Sequence, residues 1–183
     1  MRSIYVLLTH TGTYISKTIR VFTKAKYTHA SISFEDGLQP LYSFSRKYVY
    51  LVLPGELHNE PLETGFFKRH SNIPCAVYEV KVSEEVYQKA KAVVNDMLTD
   101  DVNYKFSVLG LLPCGLQIPH NRRRHYFCSE FVSKVLDESG ALELPKEKSL
   151  MRPNDYTSVP NLNCIYEGKL NELIAQNKLK LSV

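Results

Sequence analysis

The sequence predicts an α+β domain, an antiparallel sheet packed against helices. Alternation is the first sign. Across 27–35, Thr28, Ala30, Ile32 and Phe34 fall on one side of an extended chain, and His29, Ser31, Ser33 and Glu35 fall on the other. Two helical stripes are the second sign. Val86, Ala90, Val93, Val94 and Met97 line one; Phe131, Val132, Val135 and Leu136 line the other. The 183 residues suit one domain, 1–183, long enough to bury a core without disulfides.

The elements follow in chain order. Ile4 to Thr9 is apolar and β-branched enough for a buried strand, and Thr11-Gly12-Thr13 is turn chemistry. Ile15, Ile19 and Phe22 recur at helical spacing, so a short helix is expected over 16–22. After the alternating strand, Asp36-Gly37 reads as a hairpin turn, followed by strands at Leu41 to Ser45 and Tyr48 to Leu53, the latter closed by Pro54-Gly55. Residues 56–72 are polar and punctuated by Gly and Pro, as expected of a surface excursion. A strand is expected over 76–82. Ser83 then caps a helix over 84–98, whose first turn carries Glu84 and Glu85 where the dipole favours acids.

A second helix is expected over 104–112, ended by Pro113, and 121–125 is a polar loop. A third starts near Cys128 and stops at Gly140, well placed as its C′ residue. The remainder holds a loop with Arg152-Pro153-Asn154-Asp155, a strand near 164–167 and a last helix near 169–176.

Composition excludes several classes. Hydrophobic residues make up 44% and charged residues 23%, ordinary for a globular chain. The net charge of +4 is small and scattered, so no nucleic-acid partner is expected. Cys75, Cys114, Cys128 and Cys164 form no CxxC pair and lack neighbours at zinc-ligand spacing, so neither metal nor cofactor is expected. The N-terminal apolar run is broken at Thr9 and His10 and does not read as a signal peptide. No stretch is long enough to cross a bilayer; 106–116 is too short and contains Gly and Pro. Free thiols without an export signal lead to an expected cytoplasmic location, with no membrane contact. The oligomeric state is left open.

Chemistry concentrates at Tyr126-Phe127-Cys128-Ser129-Glu130-Phe131-Val132. Cys128 stands four before Val132, in the first turn, at the edge of the apolar stripe. Unpaired N–H groups and the positive helix end favour a thiolate there, and Arg122, Arg123, Arg124 and His125 lie just upstream. The setting suits a nucleophile or a small core residue equally well. A nucleophilic cysteine needs an imidazole partner. Among His10, His29, His58, His70, His120 and His125, only His29 sits near the start of a regular strand, beside Ser31 and Ser33. Without further information, a strand histidine satisfied by its neighbours is the plainer reading.

The segments Tyr-Thr-His-Ala-Ser-Ile-Ser (27–33) and Phe-Cys-Ser-Glu-Phe-Val (127–132), with Pro153-x-Asp155 downstream, resemble the circularly permuted papain-like amidases of the YaeF/YiiX type, relatives of the NlpC-like cell-wall peptidases. The resemblance covers roughly 4–168, and its short motifs are specific only in combination. It includes the order of the parts, with the histidine strand before the cysteine helix. It implies a permuted papain-like fold: an antiparallel, partly barrel-like sheet against the helix that carries the cysteine.

Carried over to this chain, the resemblance makes Cys128 the nucleophile and His29 the general base. The family places a polar residue, often an acid, on the strand after the histidine strand. Here Leu41-Tyr42-Ser43-Phe44-Ser45 offers no acid, so Ser43 is the expected ring-orienting residue, with Ser45 and Glu35 as alternatives. The Cys128 backbone N–H is one oxyanion donor. Tyr104 and Tyr126 are candidates for the second; Thr11, Thr13 and Arg124 are candidate substrate contacts.

The expected function is thiol-dependent hydrolysis of an amide in a small peptide, acyl-amide or cell-wall-type fragment. Two rivals stand beside it: lipid acyl transfer with the same Cys–His pair, and a non-catalytic binding module on the same scaffold.

Overall fold

The computed structural model describes residues 1–10, 25–46, 55–99, 104–119 and 124–181. The helix expected over 16–22, the strand expected over 48–53 and most of the polar loop at 121–125 therefore lie outside the described residues.

Six strands form one antiparallel sheet in the order β4-β3-β2-β1-β5-β8. They are β1 (Arg2–Thr9), β2 (His29–Ser33), β3 (Leu41–Arg46), β4 (Gly55–Asn59), β5 (Pro74–Val82) and β8 (Asn163–Lys169). The sheet is open among the described residues, with β4 and β8 as its borders, so the partly barrel-like expectation is corrected to an open sheet. A separate two-residue parallel bridge joins β6 (Lys105–Phe106) to β7 (His125–Tyr126).

Apolar material covers both sides of this sheet. On one side Val6, Leu8, Ala30, Ile32, Phe44, Ala76 and Tyr78 pack against Tyr87, Ala90 and Val94 of α2 (Glu84–Thr99) and Phe131, Val132 and Val135 of α4 (Cys128–Glu138). On the other, Leu7, Leu41, Cys75 and Val77 meet Phe67 of α1 (Gly65–Arg69) and Leu170 and Leu173 of α5 (Leu170–Leu181). This explains why Val6, Leu7 and Leu8 run on without alternation: a strand buried on both faces has no wet side.

Two expectations change. Residues 56–72 are not a simple excursion: they hold β4 and α1 and bury Leu62 and Phe67 under the second face. Apolar residues spaced between charged ones carry too little period to read as a helix of five residues. Nor does Pro113 end its helix. Residues 105–106 are extended, α3 runs from Val108 to Leu116, and Gln117 closes it in the left-handed region at φ 56°. The Gln117 and Ile118 N–H groups donate back to Cys114 and Pro113 carbonyls, so the turn after the proline is satisfied from behind.

The α4 ends agree with expectation. Gly140 sits at φ 75°, and the N–H groups of Ala141 and Leu142 return to the Leu136 carbonyl.

Candidate active site

His29 is the first residue of β2, opposite Thr9 at the end of β1, so it stands at the sheet's margin. Its strand partners place it, with Ser31, on the Leu7 side of the sheet. The alternation suggested a wet face, yet every residue of β2 is buried. The polar side is an interior seam of His29, Ser31 and Ser43, 8%, 0% and 0% exposed. Buried polar atoms need partners, and here they find one another.

A carboxylate closes the seam. Glu60 follows β4, and its backbone N–H donates to the Leu41 carbonyl at 2.6 Å. From there Oε2 reaches His29 Nε2 at 2.9 Å and accepts the Ser31 hydroxyl at 2.9 Å. Ser31 Oγ and Ser43 Oγ lie 3.2 Å and 3.4 Å from the same ring nitrogen. Sequence reasoning missed Glu60 because it lies in the segment read as a surface excursion; its one signal was being a carboxylate just past a potential strand.

Ser43 is at the ring as expected, but the closer and charged partner is Glu60. Ser45 bonds His58 Nε2 at 3.2 Å, and Glu35 is exposed beyond the far end of β2. At about 3.3 Å per residue, the strand separates Glu35 from His29 by roughly 20 Å, so Glu35 is not the orienting group.

Cys128 opens α4 and is 6% exposed. Its thiol lies near enough to the imidazole to help raise the ring's pKa. Burial alone would lower the imidazole pKa; the Glu60 carboxylate and then Cys128 outweigh it and push the ring up to about 10. Burial would likewise raise the Glu60 pKa, but His29 and the Ser43 and Ser45 hydroxyls hold it far below the usual carboxylate range. The shift favours the imidazolium form of His29, which the Glu60 carboxylate faces at 2.9 Å.

The helix start is built locally. Phe127, in extended conformation, is the N-cap and has no side-chain cap of its own. Glu130, at N3, accepts the Phe127 N–H, one half of a capping box whose other half a phenylalanine cannot make. Burial pushes this carboxyl up to about 7. Burial pushes Cys75 up to about 12 and Cys114 up to about 11, while Cys164 is exposed on β8.

The remaining expected site residues divide. Thr11 and Thr13 lie outside the described residues. Tyr104 and Tyr126 stack on each other at 6.0 Å, and Tyr126 also meets Phe44 at 5.7 Å, so the pair packs the β6–β7 bridge against the core. Arg124 is exposed at φ 66°, where its carbonyl accepts the Lys105 N–H. Among the described residues no cluster of His, Cys, Asp and Glu has the makings of a metal site, and no helix is long and apolar enough to cross a membrane.

The site is thus a thiol–imidazole–carboxylate array spread over a helix start, a strand start and the end of a border strand. No family model matches this chain, and no curated protein matches it.

Proposed function

We propose that the protein is a cysteine hydrolase of the permuted papain-like type, cleaving an amide bond in a peptide, acyl-amide or cell-wall-type fragment. The observation that carries this reading is the buried His29 ring held by the Glu60 carboxylate at 2.9 Å, with Cys128 near enough to help raise the ring's pKa. Sulfur, as thiolate, attacks the carbonyl carbon, with the Cys128 N–H at the helix start facing the developing oxyanion. The C–N bond then breaks, and His29 gives its proton to the departing amine. Water attacks the thioester while neutral His29 takes a proton from it; the acid leaves, and the thiolate–imidazolium pair is restored.

Iodoacetamide tests the reading without a known substrate. At mildly acidic pH, Cys128 should alkylate at least about tenfold faster than exposed Cys164, since thiolate rather than thiol is the nucleophile. Acyl-amides should then be hydrolysed by the native protein and not by Cys128→Ala. Equal alkylation of the two cysteines would leave a binding module in place of an enzyme.

One observation favours a lipid acyl group as a second reading. Leu116 and Ile118, at the end of α3, are 65% and 55% exposed. Binding to anionic vesicles, lost on Ile118→Ser, would support it.

A further inference from the structure

The segment after α4 touches both halves of the site. Arg152 to Ser158 is built as a rigid unit: Asp155 accepts the Arg152 N–H at 2.7 Å and pairs with Lys146 at 2.6 Å, and Pro153 fixes the first turn of a 3₁₀ helix, Pro153–Ser158. Its base is tied to α3, where the Arg152 guanidinium donates to the Gly115 carbonyl at 2.8 Å.

Two side chains leave this unit in different directions. Asn154 Oδ1 accepts the backbone N–H of Lys26 at 3.1 Å and of Tyr27 at 3.4 Å, two residues ahead of His29. Tyr156, fully buried, donates to the Ser129 carbonyl at 2.7 Å, one residue past Cys128, and its oxygen lies 2.7 Å from Ser133 Oγ one turn on. Asn154 and Tyr156 are two positions apart in sequence. The backbones they hold are more than a hundred apart in the chain and carry the thiol and the imidazole.

We propose that Asn154 and Tyr156 are positioning residues, the arms of a clamp that sets how closely Cys128 and His29 approach. The inference rests on the cysteine-hydrolase reading. The partners explain why these residue types serve. An amide oxygen accepts from two successive N–H groups without adding charge beside His29. A tyrosine hydroxyl both donates and accepts, so it bridges a helix carbonyl and a serine across one turn. Arms of this kind fix the backbone rather than a side chain, so they bear on approach distance without touching substrate.

The test compares Asn154→Ala, Asn154→Asp and Tyr156→Phe with the native chain. Cys128 and Cys164 alkylation by iodoacetamide is followed across pH by mass spectrometry, with circular dichroism as the check on folding. Misplacement of reacting groups by about 1 Å can cost roughly a hundredfold. Asn154→Ala and Tyr156→Phe should therefore lower the Cys128 rate by roughly ten- to a hundredfold and flatten its pH profile, while Cys164 is unchanged. Asn154→Asp, which still accepts both N–H groups, should restore the rate.

Native rates and profiles in folded Asn154→Ala and Tyr156→Phe would overturn the clamp and leave the hydrolase reading standing. So would losses that Asn154→Asp does not restore. Should Tyr156→Phe not fold, the Asn154 pair decides alone. A native Cys128 no faster than Cys164 would sink the hydrolase reading, and the clamp with it.

Discussion

At the scale of single residues, Glu60 and Ser43 make unequal claims on the His29 ring. A carboxylate at 2.9 Å stabilises the charged ring, whereas a hydroxyl at 3.4 Å is at the limit of a hydrogen bond and carries no charge. Glu60→Gln keeps the shape and removes the charge, so Cys128 alkylation at mildly acidic pH should fall by roughly a hundredfold. Ser43→Ala should lower it by only about two- to threefold. A larger loss from Ser43→Ala than from Glu60→Gln would reverse the order of their roles. Periodicity placed Cys128 at a helix start and His29 at a strand start, but the resemblance, not the periodicity, singled them out as a pair. Glu60 was not, because it is oriented by the Leu41 carbonyl and the Ser31 hydroxyl, neighbours that only the folded sheet supplies.

At the scale of the element, α4 combines a fully buried apolar stripe with a carboxyl that is costly to keep charged. Phe131, Val132, Val135 and Leu136 are each 0% exposed, and Glu130 is 9% exposed in the first turn. Burial raises the Glu130 pKa from 4.5 to about 7, so the fold binds more protons than the unfolded chain in that interval. Stability from this group is whole below 4.5 and is lost as pH rises towards 7. Glu130→Gln keeps an acceptor for the Phe127 N–H without the charge. It should raise the melting temperature in mildly alkaline buffer and leave it nearly unchanged below pH 4.5. The stripe was readable from spacing alone. The α3 boundaries were not, since a proline inside a short helix is tolerated when the turn behind it is closed by Gln117 and Ile118.

At the scale of the whole molecule, His29 and Glu60 give stability its pH range. The His29 pKa is raised from 6.5 to about 10 in the fold, so its contribution is whole below 6.5 and is lost as pH climbs towards 10. The Glu60 pKa is lowered, so its contribution is whole above 4.5 and is lost as pH falls further. Both act fully between 4.5 and 6.5. Melting temperatures across pH should be highest in that interval, and the maximum should flatten in Glu60→Gln. A native profile with no maximum there would contradict the ion pair. The α+β class was legible in the strand and helix periods. The covering of both sheet faces was not, because Leu62 and Phe67 sit among charged neighbours and the second layer is completed only by α5, from the other end of the chain.

The carboxylate that raises the imidazole pKa follows β4, the outermost strand on its side of the sheet among the described residues. Border strands part from their neighbours at far less cost than central ones do. On the proposed hydrolase reading, reactivity is only as durable as that rim. Mild heat or denaturant that peels β4 away should lower the Cys128 alkylation rate before β1 and β5 part, which alkylation followed beside circular dichroism would show.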